Sequence, residues 1–405
     1  MEIRPTYLIF VSADNHNKFY NAFPEGNEFR VEYGRVNSTC TTIRYPISKW
    51  NSTLNSKIKK GYKDITDLKS DLIQEVSASN ADMPYREIEN KVIRDIVNEL
   101  QRLARDTVKK NYTVAASAVT QAMVDGAQSI IDDLSKNDYS VERFNKRLLD
   151  LFAVIPRNMS KVNNHLINDK SEMAKKLKEE QDLLDVLAGQ VYVKPDAPVV
   201  TETDKKQMTI LEELGLEFEE VDDEDVKLIK KLMNESKDKF KKAWRVKNIE
   251  TQARFDKFVA DNNITDTRLL FHGSRSENFW SIIKTGLKLR PTNAVITGKM
   301  YGFGIYFAPK CQKSIGYTSL SGSYWAGGSS NKAYMAIFEI AYGKPYDVYT
   351  FDSKYYDLSY EKLQKFCLGA NCLHAHADKG MLRNDEIVVY KEEQMTIKYL
   401  IEIGY

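Results

Sequence analysis

Leu269-Leu270-Phe271-His272-Gly273-Ser274-Arg275 and, further along, Tyr301-Gly302-Phe303-Gly304-Ile305-Tyr306-Phe307-Ala308 decide how this chain is read. An apolar run ends on His-Gly-Ser, which sets a donor/acceptor side chain beside a residue with none. A flat ligand can then reach the backbone, the kind of close approach that Gly in a strand often marks. Aromatic faces from the second segment can sandwich such a ligand. A third segment, Asn384-Asp385-Glu386-Ile387-Val388-Val389-Tyr390, puts a carboxylate at the mouth of another apolar strand. No G-x-G-x-x-G lies between a strand and a helix, which argues against a doubly wound dinucleotide site.

Around these segments the chain divides into three regions. Residues 1–80 read as a small β-rich domain. Thr6–Val11, Asn17–Phe23 and Phe29–Tyr33 are strand candidates, with turn chemistry at Pro24-Glu25-Gly26-Asn27 and a helix-like stretch ending at Lys59-Lys60-Gly61-Tyr62. Residues 85–195 change to a helical period. Ile88, Val92, Ile96, Leu100 and Leu103 follow Pro84; Val114–Leu134 is a second helix with Ala115, Ala118 and Ala122. Phe144, Leu148, Leu151 and Ile155 form a third stripe stopping at Pro156, and Ser171 caps a fourth carrying Met173, Leu177, Leu184 and Leu187. Val191–Gln207 is a Pro-containing connector. Residues 200–405 combine a helix over Glu224–Lys237 with strands such as Tyr334–Ile340 and Thr396–Ile403. The fold class is therefore α+β and multidomain: a β-rich domain, an all-α bundle and a domain dominated by antiparallel strands.

Composition narrows the partners. The 405 residues carry 59 Lys plus Arg against 57 Asp plus Glu, a net charge of +2 that names no partner by itself. The window from Arg30 to Lys63 is different: Arg30, Arg35, Arg44, Lys49, Lys57, Lys59, Lys60 and Lys63 face a single acid, Glu32. Such a run is a candidate phosphate-facing patch. Cys40, Cys311, Cys367 and Cys372 are too scattered for a disulfide framework. Cys367 and Cys372 precede His374 and His376, but no second Cys pair completes a tetrahedral set, so no metal is expected. No run of 18 apolar residues and no signal-peptide core is present, and the expectation is a soluble intracellular protein without membrane partners.

His272, Tyr306 and Glu386, in this order and with these flanks, resemble the signature of the poly(ADP-ribose) polymerases, in which a His, a Tyr and a Glu are spread over three strands around NAD. The resemblance extends upstream. Tyr33-Gly34-Arg35 is similar to the Trp-Gly-Arg of the WGR domain, with Tyr in place of Trp, and Phe152–Pro156 with Leu183-Leu184-Asp185 resembles the helical regulatory domain of the DNA-dependent members. It implies a WGR-like DNA-binding domain over 1–80, in which Tyr33, Arg35, Lys59 and Lys60 meet DNA. Arg35 would contact either a phosphate or a neighbouring domain. A helical regulatory domain over 85–195 would cover the donor site until DNA binds, and the catalytic domain would occupy 200–405.

For the site the resemblance implies that His272 bonds the adenine-proximal ribose. Gly273 meets the nicotinamide carboxamide through its backbone and Ser314 through its hydroxyl. Tyr306 and Tyr317 flank the nicotinamide ring, and Lys313 supports Glu386. Lys288 faces the adenosine side, Ser274 and Asn278 contribute to adenosine or to backbone support, and Arg290–Gly298 lies over the donor. Glu386 would bond the ribose hydroxyl and polarise the acceptor while positive charge builds on the ribose. NAD is then a co-substrate, and the reaction transfers ADP-ribose to protein acceptors, the chain itself included, and elongates it. Activation by nicked or broken DNA and a place in the damage response follow from the same likeness, in the nucleus of a eukaryote or the cytoplasm and nucleoid of a bacterium. Single transfer to proteins or nucleic-acid ends, and a DNA-end-binding module with weak catalysis, are the alternatives. The acceptor loop is placed within Phe351–Leu382, and His374-Ala375-His376 there has no assigned role.

Overall fold

A computed structural model of the chain describes residues 2–69, 85–113, 119–136, 138–191, 207–289, 300–377 and 382–405. It divides into two compact units, Met1–Asp82 with Arg105–Val191, and Met83–Ala104 with Tyr192–Tyr405. Among the described residues no helix is long and apolar enough to cross a membrane.

In the first unit, β1 (Thr6–Ser12), β2 (His16–Glu25), β3 (Glu28–Arg35), β4 (Thr41–Pro46) and β5 (Lys63–Asp64) form one antiparallel sheet in the order β4-β3-β2-β1-β5. The turn falls later than the sequence suggests. Pro24 lies within β2, paired with Phe29, and only Gly26 and Asn27 separate the strands. Gly26 has φ +67°, the left-handed conformation that tight hairpin turns demand. Helix α1 (Trp50–Lys59) lays Trp50 and Leu54 on Leu8, Tyr20, Phe29 and Val31, all buried.

The basic window is less basic in three dimensions. Arg30 and Arg44 stand opposite one another on β3 and β4, where like charges repel. Glu25 takes one on each carboxylate oxygen, at 2.8 and 2.5 Å, and Arg30 also meets Glu32. Lys63 pairs with Asp150. Lys59 and Lys60 stay exposed at the end of α1.

Four longer helices follow: α2 (Lys91–Asn111), α3 (Gln121–Lys136), α4 (Val141–Val154) and α5 (Met173–Val191). Asn90 starts α2 by accepting from the amides of Val92 and Ile93. Its buried stripe is Ile93, Ile96, Val97, Leu100, Ala104 and Val108, while Val92 is exposed and Ile88 precedes the helix. Pro84, Ala115 and Ala118 lie outside the described residues. Helix α4 runs from its Ser140 cap to Ile155, ahead of Pro156, and buries Phe144, Leu148 and Leu151. Asp169, not Ser171, caps the turn that leads into α5, taking the Ser171 amide at 2.8 Å. Gln128 of α3 and Gln181 of α5 exchange amide hydrogen bonds at 2.8 and 2.9 Å.

The sheet and these helices are bonded within the unit. Asn17 donates to the Arg157 carbonyl at 3.2 Å, and Asn37 donates to Asn158 at 2.9 Å. Arg157 is buried, paired with buried Glu180, and lies 4.5 Å over the Tyr112 ring.

His165 sits beside this cluster, edge-on to Phe152 at 6.2 Å. Burial, together with Lys176 and Arg157, pushes its pKa down to about 4. The unfolded chain therefore takes this proton first, at about 6.5. Stability is full above that pH and is lost as pH falls from about 6.5 toward 4. Because the ring is only half buried, the loss is expected to be about 1–2 kcal/mol. Urea unfolding of the wild type and His165→Asn across this range checks it: the variant's stability should vary less with pH.

The second unit begins with residues 85–104. The Arg86 amide bonds the Met208 carbonyl at 2.9 Å, its guanidinium meets Glu212 at 3.0 Å, and Asn90 donates to Glu220 at 2.9 Å. Then come α6 (Ile210–Leu214), β6 (Leu216–Glu220), α7 (Asp223–Met233), β7 (Phe240–Asn248), α8 (Ile249–Asp261), β8 (Thr267–Gly273) and α9 (Phe279–Thr285). After these follow β9 (Ile305–Phe307), α10 (Cys311–Ile315), β10 (Lys332–Ala341), β11 (Pro345–Val348), α11 (Tyr360–Phe366), β12 (Cys372–Ala375), β13 (Glu386–Val389) and β14 (Met395–Gly404).

Two sheets result, β6-β7-β14-β10-β8 and β11-β12-β13-β9. Every pairing is antiparallel except β11 with β12. Strand β10 is interior, between β14 and β8, and nearly all buried, which suits its unbroken apolar run Tyr334–Phe338. The sheets are tied where Phe271 and Ala308 exchange backbone bonds at 2.9 and 3.0 Å. That tie brings the ends of β8, β9 and β13 together.

Candidate active site

His272 and Gly273 end β8, Tyr306 is the middle of β9, and Glu386 opens β13. In the β13–β9 ladder Tyr306 faces Val388, and Glu386 is two residues from Val388 on the same face. The Nδ1 of His272 lies 3.1 Å from the Tyr306 carbonyl, so β8 and β9 are linked at these two candidate positions as well as at Phe271. Its ring packs against Phe307 and Phe338 at 5.6 and 6.1 Å.

Helix α10 supplies the facing wall. Lys313 donates to the Glu386 carboxylate, and both side chains are largely buried. A buried charge without a partner is costly, so this pair fixes both groups in place. Gly273 is where α10 comes closest to β8. A Cβ there would stand 1.9 Å from the Ser314 carbonyl oxygen, so only glycine permits the approach.

Tyrosines line the remainder. The Tyr306 hydroxyl accepts from the Tyr301 amide at 3.0 Å and donates to the Gly302 carbonyl at 3.2 Å. Its ring is thereby held as a wall, and burial raises its pKa far above the ordinary phenol value. Tyr390 donates to the Tyr301 carbonyl at 2.7 Å, which fixes the Gly-rich segment from its other side. Burial, and secondarily the Glu386 charge, pushes Tyr317 up to about 12. Tyr317 stacks on Trp325, with ring centres 6.1 Å apart and planes 14° apart. Trp325 is 61 % exposed, so this stack extends the aromatic surface outward.

Removing the Tyr306 hydroxyl strands the Tyr301 amide and the Gly302 carbonyl inside the site. Tyr306→Phe is expected to cost about 1–3 kcal/mol of stability, read as a shift of the denaturant midpoint. A shift below a few tenths would mean that water replaces both bonds.

The other site residues divide. Ser274 accepts from the Asn278 side-chain amide at 2.9 Å, and the buried Asn278 Oδ1 has no hydrogen-bond partner among the described residues. Ser314 is buried on α10 beside Lys313. Lys288 belongs to another cluster: its ammonium meets Glu392 at 3.0 Å, and the Leu289 amide bonds the same carboxylate. Arg290–Gly298 lies outside the described residues. Within Phe351–Leu382 the structure forms a turn at Ser353–Tyr355, then α11 and β12, while residues 378–381 lie outside the described residues. Trp325 was not singled out from sequence, and Tyr301 and Tyr390 were quoted there only as ends of their segments. The Tyr324-Trp325 pair in a Gly- and Ser-rich loop is the one signal that could have pointed to the first.

In the first unit, Tyr33 is half buried and packs on Tyr20 at 5.8 Å, with the Lys57 ammonium 5.9 Å from its ring centre. Arg35 donates to the Asn15 carbonyl at 2.8 Å and to the Ser160 carbonyl at 3.2 Å. The Ser160 bond joins the sheet to the segment after α4.

A paired carboxylate and ammonium between aromatic walls, with a histidine on the adjoining strand, suits a ligand that combines a flat ring with sugar hydroxyls. Residues 223–405 match the family model of the poly(ADP-ribose) polymerase catalytic domain. The chain is similar to two proteins of Invertebrate iridescent virus 6. Uncharacterized protein 101L is 32% identical over 45% of this chain and 76% of its own length. Putative poly [ADP-ribose] polymerase-like 100L is 34% identical over 40% of this chain and 84% of its own. Poly [ADP-ribose] polymerase 2 of Zea mays is 23% identical over 76% of this chain and 48% of its own length.

Proposed function

Because the chain belongs to the poly(ADP-ribose) polymerase family, we propose that it builds ADP-ribose chains on protein acceptors, itself included, when it meets damaged DNA inside the cell. The chain is an ADP-ribosyltransferase with NAD as co-substrate, and nicotinamide is the leaving group. NAD supplies the glycosidic bond that is broken, and the protein supplies position and charge.

The Lys313–Glu386 contact carries the reading of chain elongation. Cleavage leaves positive charge on the ribose, and a carboxylate already fixed in place stabilises it without reorganising. The same carboxylate accepts from a hydroxyl of the incoming acceptor, which is the ribose of the growing chain during elongation. His272, anchored to the Tyr306 carbonyl, orients the adenosine half, and Tyr306 and Tyr317 form the two faces of the nicotinamide slot. Ser314 and the Gly273 backbone meet the carboxamide.

The first unit carries the DNA part of the proposal. Exposed Lys59 and Lys60 offer charge at the end of α1, with Tyr33 as the nearby aromatic. Arg35, through Ser160, links the β-sheet to the helical segment that would govern access to the donor site. The similarity to the maize relative, named a poly [ADP-ribose] polymerase 2, runs over 76% of the chain and so exceeds the part matched by the catalytic family model.

Incubation with labelled NAD, with and without nicked DNA, tests the proposal on a gel. Ladders dependent on DNA support it; a single labelled band would replace elongation by single transfer; ladders indifferent to DNA would remove the switch. For the DNA contact, the double substitution Lys59→Ala and Lys60→Ala is expected to weaken binding to all sequences alike. It should also lower the salt slope by about 2, read from binding titrations at several salt concentrations. An unchanged slope would put the interface elsewhere.

A further inference from the structure

The strand next to β13 carries His374-Ala375-His376, and alternate residues of a strand share a face. His376 continues the ladder through its amide, which bonds the Val348 carbonyl at 2.8 Å. The two imidazoles stack with centres 3.9 Å apart and planes 23° apart. The one parallel pairing of this sheet sets Asp347 of β11 beside His374. Asp347 Oδ1 lies 2.7 Å from His376 Nε2 and 4.0 Å from His374 Nδ1. One atom from each of the three residues falls within 4.8 Å of the others.

The opposite edge of the stack faces a second carboxylate. Asp385 Oδ2 lies 3.1 Å from His374 Nε2 and 3.9 Å from His376 Nδ1, and Asp385 Oδ1 accepts the Ala377 amide at 3.0 Å. A histidine that binds a metal through one nitrogen commonly donates the other to a carboxylate, which fixes tautomer and ring orientation. Asp385 stands in that relation to His374, whose Nδ1 is left toward Asp347. Tyr349 stacks flat on His376 at 4.5 Å and holds the second ring.

We propose that Asp347, His374 and His376 form a binding site for a divalent cation of the zinc class, with Asp385 as the carboxylate behind His374. Two imidazoles and one carboxylate suit zinc, cobalt or nickel, whereas calcium and magnesium require sets made mainly of oxygen. Tetrahedral ligands about 2.0–2.1 Å from a zinc ion are about 3.3 Å apart, so the His374–Asp347 pair at 4.0 Å would close and the His376–Asp347 pair at 2.7 Å would open. His374 Nδ1 now lies 2.7 Å from the Tyr342 hydroxyl and would exchange that partner for the cation. The cysteines that drew attention in the sequence take no part: Cys372 is buried and donates to the Tyr342 carbonyl at 3.3 Å.

The cation is structural, since the transfer itself needs no metal. Its place in the sheet gives it a role nonetheless. Ala375, between the two histidines, pairs with Glu386, and Asp385 is the preceding residue. A bound cation would clamp β11 to β12 and, through His374 and Asp385, hold the start of β13.

The test uses the full chain, stripped with a chelator and titrated with cobalt(II), while visible absorption and the melting temperature are followed. One equivalent with the absorption of a nitrogen- and oxygen-ligated ion and a higher melting temperature is expected. Loss of that absorption in His376→Gln and in Asp347→Asn supports the site. Asp385→Asn is expected to weaken binding 10–100-fold. Cys40→Ser and Cys367→Ser should bind as the wild type does. No bound equivalent, or binding that survives His376→Gln, overturns the proposal. His376 is half buried at a strand end, so its variant remains a fair test if His374→Gln fails to fold.

Discussion

Glu386→Gln is expected to lower nicotinamide release from NAD about 10²–10³-fold, the effect of removing one fixed electrostatic group from a transition state. The substitution keeps the size and an acceptor atom but removes the charge that, on the proposed function, faces the developing positive ribose. The buried ammonium of Lys313 then loses its anion, so Lys313→Met on its own should also reduce turnover. Because the two residues act as a unit, the double substitution should cost much less than the product of the single losses. Release of nicotinamide by the Gln variant at near the wild-type rate would mean that Glu386 is not at the reacting ribose. Multiplicative losses would mean that the pair does not act together.

Gly273→Ala is expected to abolish NAD binding in a protein that still folds. The added methyl has nowhere to go, because the Ser314 carbonyl oxygen would stand 1.9 Å from it. Strand β8 is held on both sides, by β10 and by the Phe271–Ala308 bonds, so α10 is the part that moves. That displacement carries Lys313, Ser314 and the approach to Tyr317 away from β8. A shift of about 1 Å in such groups costs on the order of 10²-fold in rate. Overpacking of this kind costs about 1–3 kcal/mol of stability. Calorimetric titration with NAD and a thermal melt on the same sample distinguish lost binding from lost folding. Wild-type affinity in the Ala variant would show that β8 and α10 tolerate separation.

The chain's strands were legible wherever an apolar run met a Gly or an acid: β8, β9, β13 and β10 fall on the segments that the sequence marks. The end of helix α4 was legible from Pro156, whereas its Ser140 cap emerged only with the structure. The stripe of α2 was misread because residues at 88, 92, 96 and 100 and those at 93, 96, 97, 100 and 104 both fit a helical period. The Asn90 cap leaves Ile88 outside the helix, and it acts through one side chain that a period does not register. The basic window reads as more basic than its folded surface for another reason. Glu25 lies outside it in sequence and neutralises Arg30 and Arg44 across the strands. Lys288 was assigned to the adenosine side by position alone, and its partner Glu392 is 104 residues away. The Tyr317–Trp325 stack joins two loop residues at no regular spacing, so no pattern announces it.

The interleaving of the two units has a consequence for how the molecule is made. Residues 83–104 belong with 192–405, yet residues 105–191 are synthesised between them. Ile93, Ile96, Val97 and Leu100 therefore leave the ribosome well before the sheet that completes their unit. At ordinary translation rates that wait is roughly 5–20 s or longer. Through it, segment 83–104 waits without the rest of its unit, the condition under which chaperones bind and chains associate wrongly. The acidic and basic residues on the opposite face of α2, among them Arg94, Asp95, Glu99 and Arg102, keep it in solution meanwhile.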